Sequence, residues 1–192
     1  MASSPESNPG WPAEKIGRVA RLVELDDVKL IQALVSGIPE SEFEPSKYHS
    51  TWNVIPFFGE GPLEPGEEDQ LVDIREGIEV VVAFDYHLEG AGINQEGNGA
   101  DSPDEPVVSL HVVATFLVQY SIKEVDEQPR LIDQPVEVKS TDIHAFSDFN
   151  ATFNAWPYWR EFVQSMTGRM GLPTVIIPVL PVPNLIGRTR SR

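Results

Sequence analysis

The sequence predicts an α+β fold, in which a long C-terminal helix packs on one face of a four-stranded antiparallel sheet and a Pro-rich extended arm follows the helix. Three observations predict this fold. Apolar and polar residues alternate over two long stretches, 78–88 and 107–122, as in strands with one buried face. Apolar residues recur at helical spacing between 155 and 170. Prolines then interrupt the apolar segment 172–183.

The two alternating stretches are the clearest strands. Their even positions are apolar or aromatic, whereas their odd positions include polar residues such as Asp85, His87 and His111. This pattern indicates neighbouring antiparallel strands with one wet face. A further strand is predicted around 131–138, where Pro135 indicates an edge position or a bulge.

The pattern of residues 14–35 leaves two interpretations open. Apolar residues up to Leu25 follow one alternation, and those from Val28 onward follow the other. A strand with a register break near Asp26 and Asp27, as at a β-bulge, fits this change. A helix over the first part of the segment is the alternative.

Two starting points are compatible with the helical region. If Asn154 is the N-cap, Pro157 lies in the first turn, where its missing N–H costs little. If the helix begins earlier, near Asn150, Pro157 lies inside it and is expected to kink it. Gly168 and Gly171 are expected to end the helix, because glycine readily adopts the backbone conformations found there.

The arm cannot be a central strand of a sheet. Pro178, Pro181 and Pro183 lack the N–H that a strand donates to its neighbour. The apolar residues of the arm must therefore cover a surface or an edge, in this molecule or in another.

Composition divides the chain into one domain with two tails. We expect a disordered N-terminal tail over 1–17, a domain over 18–183 and a basic C-terminal tail over 184–192. Two segments of the domain, 37–69 and 89–106, are rich in glycine, proline and acidic residues and are expected to be insertions. The first contains aromatic residues that either cap the end of the sheet or add to an exposed apolar surface. These are Phe43, Tyr48, Trp52, Phe57 and Phe58.

Charge and composition exclude several classes of protein. The net charge is −16, and residues 1–150 carry 9 Lys/Arg against 29 Asp/Glu. An acidic body repels phosphates, so nucleic acid is not an expected partner. The chain has no cysteine, no apolar run of about 20 residues for a membrane helix, and a polar start without a signal-peptide core. The expected compartment is the cytoplasm.

No catalytic or metal-binding constellation is evident in the sequence. His87 and His111 lie on the polar face of adjacent predicted strands, but no third metal ligand is spaced to complete a site. Carboxylate clusters such as 67–69 and 101–105 are typical of acidic turns. We therefore expect no enzyme activity, no cofactor and no metal.

The helix and the arm carry a collinear motif of ten positions. It comprises Trp156, Pro157, Tyr158, Arg160, Glu161, Ser165, Met166, Arg169, Leu172 and Pro173. In this motif, and more weakly over residues 18–183, the chain resembles the SecB export-chaperone family. The resemblance favours a strand over a helix near residue 20. It also implies dimers that pair into tetramers, with the helix and arm bordering a groove for unfolded chains. Arg160 and Glu161 are expected to hold the helix against the sheet or a neighbouring protomer.

The first functional hypothesis is a non-catalytic holding chaperone that binds unfolded or precursor polypeptides for export. Asp27 matches a position at which the family docks the translocation motor. The resemblance also places client binding in an apolar groove. The predicted groove residues are Phe153, Trp156, Trp159, Phe162, Met166, Leu172, Val175, Ile177 and Leu180.

Two departures from the family support an alternative within the same class. Val113 stands where the family has an acidic residue, and the segment after the arm is too short and polar for the family's last helix. Both features, with the insertions, resemble divergent SecB-like chaperones that protect antitoxins. A small-ligand-binding or enzymatic α+β domain with a closed pocket is the alternative from another class. A structural oligomer without a client is a third.

Overall fold

The computed structural model describes most of the chain. The described residues are 13–37, 44–58, 61–63, 70–91, 107–123, 135–171 and 175–180. Their elements are α1 (Ala13–Ala20), β1 (Val23–Gly37), β2 (Glu44–Phe58), β3 (Gly61–Pro62), β4 (Leu71–Asp73), β5 (Ile78–Ala91), β6 (Val107–Ile122), β7 (Glu137–Lys139), α2 (Ser140–Phe146), a π-helical turn (Ser147–Ala151) and α3 (Thr152–Arg169).

The main sheet confirms the predicted α+β class. Its strand order is β1-β6-β5-β2-β3, and all its pairs are antiparallel. Four strands are long, and the fifth, β3, is a two-residue addition at the edge. Alternation predicted β5 and β6 correctly, because their even residues face the core and their odd residues do not.

One long strand was assigned incorrectly from the sequence. β2 lies inside segment 37–69, which was interpreted as an insertion, whereas the described part of predicted strand 131–138 does not join the main sheet. Its described end, β7, pairs with β4 in a separate two-stranded sheet, and residues 131–134 lie outside the described part. Proline within β2 obscured the pattern. Pro56 is accommodated because β3 covers β2 only at its last two residues, so this part of β2 lies near an edge.

Both interpretations of residues 14–35 are partly right. The N-terminal part is helical, and the helix α1 includes residues 13–17, which were predicted to be disordered. The strand β1 follows it and pairs with β6. The pairing register shifts between Leu25 and Asp27, where the bulge was predicted, and again between Leu30 and Gln32.

The C-terminal helical region begins much earlier than either predicted start. Helical backbone runs from Ser140 through α2 and the π-helical turn into α3, so Pro157 lies inside α3. The predicted N-cap at Asn154 is wrong. Its amide instead donates a hydrogen bond to the hydroxyl oxygen of Tyr120 on β6, at 2.9 Å. Burial of that hydroxyl raises the pKa of Tyr120.

The core lies between the main sheet and α3. Trp159 is fully buried and stacks on Phe84 of β5, with ring centroids 5.3 Å apart and planes 10° apart. Trp156, one turn earlier, packs edge-on against Phe84 and against Trp52 of β2. These contacts confirm that the long helix packs on one face of the sheet, and they fix which face remains open.

Candidate functional site

The extended arm is attached to α3 by two side chains of the helix. Trp156 Nε1 donates to the carbonyl oxygen of Pro178 at 3.0 Å, and Arg160 Nε donates to the carbonyl oxygen of Ile177 at 2.8 Å. Pro178 contacts the earlier of these two helix residues, so the arm runs antiparallel to α3. Because the acceptors are backbone oxygens, the bonds fix the path of the arm and leave its side chains available for other contacts.

The attachment determines which arm side chains face inward. Ile177 and Leu180 are buried, whereas Ile176 is 79% exposed and Val179 is 72% exposed. Exposed apolar side chains that lie close together often mark interaction sites. The two buried and the two exposed apolar side chains are each three residues apart, so the arm has one face against the chain's own core and one face open to solvent.

The helical region adds two aromatic side chains, exposed Phe153 of α3 and partly buried Phe149 of the π-helical turn. Phe153 is exposed and lies one turn before Trp156, the helix residue whose indole binds the arm. Its ring lies parallel to that of Phe149, with centroids 6.4 Å apart. We call the set Phe149, Phe153, Ile176 and Val179 the arm–helix surface.

Comparison with known proteins identifies the architecture around this surface. No protein-family description matches the chain, and no curated protein sequence matches it. A solved structure does match: the SecB-like chaperone Rv1957 of Mycobacterium tuberculosis, in complex with a ChAD peptide from the Rv1956 HigA1 antitoxin. The match covers 88% of this chain and 95% of the other, with a TM-score of 0.53 and 17% sequence identity. The chain has a SecB-like fold.

Within the SecB-like fold, the predicted groove residues differ in how far they are buried. Four of them are buried in the chain's own core: Trp156, Trp159, Ile177 and Leu180. Phe153 is exposed, and the partly buried ones are Phe162, Met166 and Val175. Leu172 lies outside the described residues. In this conformation the buried four are not accessible to a client, because they fill the space between the sheet, the helix and the arm.

Sequence reasoning missed the most exposed members of the surface, Ile176 and Val179. Residue type could not distinguish them from Ile177 and Leu180, which are equally apolar. Which of these four side chains face outward depends on the hydrogen bonds that Trp156 and Arg160 donate to the backbone of the arm. Arg160 was expected to hold the helix against the sheet or a neighbouring protomer, and its described bond holds the arm to the helix instead of the sheet. Its contact with a neighbouring protomer stays a prediction.

The predicted docking residue Asp27 lies at the register shift of β1, on the surface of the SecB-like fold. Its carboxylate pairs with Lys29 at 3.2 Å and accepts a hydrogen bond from the N–H of Val28 at 2.7 Å. The Lys29 ammonium and this N–H lower the pKa of Asp27. The carboxylate is therefore charged and accessible, which a docking role requires. Motor docking there stays a prediction.

A second group of exposed apolar side chains lies on β1, an edge strand of the main sheet. Its exposed side chains are Leu25, Leu30, Ile31 and Leu34. In the described part of the chain, β1 pairs with β6 on one side only. An exposed apolar strand at a sheet edge is a ready template for pairing with another chain.

On the open face of the sheet, opposite α3, polar side chains lie close together. Two of them are the histidines for which the sequence showed no third metal ligand. His87 and His111 are directly paired across β5 and β6. Asp85 lies two residues before His87 and reaches both imidazoles, with Oδ1 at 2.7 Å from His87 Nε2 and 3.1 Å from His111 Nε2. The third ligand whose absence argued against a metal site is thus present in space.

Membrane insertion finds no support in the helices. Measured against the apolar run of about 20 residues that a bilayer span requires, none of the helices among the described residues qualifies.

Proposed function

We propose that this chain is a non-catalytic holding chaperone that binds non-native polypeptide segments on the arm–helix surface, in the cytoplasm. The observation that carries the proposal is the fixed arm: Ile176 and Val179 point outward while the hydrogen bonds from Trp156 and Arg160 hold the backbone beneath them. Because the arm is already ordered, a client does not have to overcome the conformational entropy of ordering it.

The chemistry of the surface suits varied clients. Aliphatic and aromatic side chains make non-directional contacts, so they accept many apolar sequences. The net charge of −16 adds long-range attraction for basic segments, which non-native chains expose beside their apolar ones. Weak binding at several such places on an oligomer gains strength by multivalency.

The solved relative supports a narrower version of this proposal. Its structure contains a peptide from an antitoxin, so a SecB-like fold can hold a segment of one particular protein. For this chain we propose general client binding first and protection of a single client, such as an antitoxin, second. Delivery of precursors for export additionally requires motor docking at Asp27.

Self-association is the second part of the proposal. The apolar side chains of β1, together with the edge of the sheet, provide a surface on which a second copy can pair. We propose that protomers form dimers, and dimers form tetramers, in the way that the family resemblance implies. The arm–helix surface lies on a different element, so assembly and client binding can be tested separately.

A single assay tests the client-binding part. We expect the wild-type protein to suppress aggregation of a thermally unfolding test enzyme, and we expect the double variant Ile176→Asp/Val179→Asp to lose most of this effect. Leu71→Asp is the matched control, because Leu71 is also an exposed apolar residue but lies on β4 in the small sheet. Equal suppression by all three proteins would refute binding at the arm.

The identity of the client is tested by co-purification from the native host followed by mass spectrometry. A set of unrelated precursors supports the general chaperone, whereas one stoichiometric partner supports the protection of a single client. A monomer that retains no polypeptide and binds a small molecule would contradict both and favour the ligand-binding alternative.

A further inference from the structure

We propose that Asp85, His87 and His111 form a binding site for a divalent transition-metal ion, Zn²⁺ before others, on the open face of the sheet. The proposal is independent of the chaperone function, because the three residues lie on the side of the sheet that does not contact α3.

The backbone already places the three side chains together. Antiparallel register pairs His87 with His111 directly, and Asp85 is the next residue on the same face of β5. Each residue presents one potential ligand atom, and all three atoms lie within 4.8 Å of one another. Neither a loop nor a long flexible side chain is needed to assemble the set.

The orientation of the two imidazoles favours a shared ion. Their rings stack with centroids 4.1 Å apart and planes 15° apart, and both Nε2 atoms point at Asp85 Oδ1. A zinc ion bound by nitrogen and oxygen at about 2.0–2.2 Å requires ligand atoms roughly 3.3–3.6 Å apart in a tetrahedron. Small rotations of the side chains therefore bring all three atoms onto one ion.

The donor set selects the class of metal. Two imidazoles and one carboxylate suit zinc and its neighbours in the first transition row, whereas calcium and magnesium prefer oxygen ligands alone. The side chains are 29–39% exposed, so an ion can reach them from solvent. Three protein ligands leave a fourth position for water or for another side chain.

The neighbouring strand offers a candidate for this fourth position. His49 of β2 is the direct cross-strand partner of His87, so three histidines form a row across β2, β5 and β6. Its side chain is exposed. With His49 as a ligand the ion would bridge three strands, and without it the ion would bridge two.

Metal titration of the full-length protein tests the site. We expect one Zn²⁺ per chain, measured by competition with a chromophoric chelator, and a loss of affinity of at least tenfold in His87→Gln, His111→Gln and Asp85→Asn. His144→Gln is the matched control, because His144 lies on α2, and it should bind like wild type. Loss of affinity in His49→Gln would assign the fourth ligand to His49, and wild-type affinity would assign it to water.

Two measurements on the wild-type protein keep the proposal testable if a variant folds poorly. Co²⁺ should give visible absorption bands of the intensity typical of four-coordinate sites, and saturating Zn²⁺ should raise Tm by about 5 °C. Absence of stoichiometric Zn²⁺ binding at micromolar concentration would overturn the proposal. So would wild-type affinity in the His87→Gln and His111→Gln variants.

Discussion

At the scale of single residues, one ion pair with a buried carboxylate connects α1 to α2. Arg18 of α1 donates from Nε and Nη2 to the two carboxylate oxygens of Asp142 on α2, at 2.6 and 2.7 Å. Asp142 is only 2% exposed, whereas Glu14, the other partner of Arg18, is 90% exposed. The hydrogen bond and charge of Asp142 raise the pKa of Arg18.

We predict that Arg18→Met lowers Tm by several degrees, because it leaves a buried carboxylate without its cation. Glu14→Ala is the control, and it should change Tm little, since exposed ion pairs contribute little to stability. The double variant Arg18→Met/Asp142→Leu should recover most of the loss, because no buried charge remains. Thermal unfolding followed by circular dichroism measures all three, and an equal loss in the single and double variants would contradict this explanation.

Residue types in the sequence identified the apolar stripe of the helix but not what it contacts. The spacing of Trp156 and Trp159 is the same whether their partner is the sheet of the same chain or a client. In the structure their partners are Phe84 and Trp52 of the sheet, which are distant from the helix in the sequence. The ion pair between Arg18 and Asp142 was equally beyond prediction, because 124 residues separate its members.

At the scale of elements, α3 has a structural face and an exposed face, and substitutions should separate them. We predict that Trp159→Ala destabilises the fold by about 3–5 kcal/mol, because it leaves a cavity against Phe84. Phe153→Ala, on the exposed face of the same helix, should cost about 0.5 kcal/mol. Urea unfolding gives both values, and similar costs for the two substitutions would contradict the assignment of faces.

Elements were predictable from the sequence where local pattern alone decides them. β5 and β6 show their alternation plainly, because both are long and have one open face. β2 was not predictable, since proline and glycine dominate its surroundings and its place is fixed by pairing with β5. The start of the helical region was misplaced because Asn154, a good capping residue, serves a tertiary contact with Tyr120.

At the scale of the whole molecule, β1 should determine the oligomeric state. We predict that the mass of the wild-type protein in solution is two or four times the 21.3 kDa of one chain. We expect Leu30→Lys/Leu34→Lys to shift this mass toward that of the monomer. Charged side chains at a strand edge oppose pairing with another strand. Light scattering coupled to size-exclusion chromatography measures the mass. A monomeric wild-type protein would contradict this part of the account.

The overall architecture was predictable because the motif of the helix and arm has a specific order, although the whole chain is only 17% identical to the matching structure. Which apolar side chains are exposed on the folded chain was not predictable. Their exposure depends on how strands from separate segments pair and on how the arm is held, and neither is encoded in local spacing.

The most direct test of the central claim is the affinity of the protein for a permanently unfolded, fluorescently labelled polypeptide, measured by anisotropy. We predict saturable binding by wild type, weakened at least tenfold, or about 1.4 kcal/mol, in Ile176→Asp/Val179→Asp and unchanged in Leu71→Asp. Absence of saturable binding by wild type, or the same affinity in the double arm variant, would contradict it.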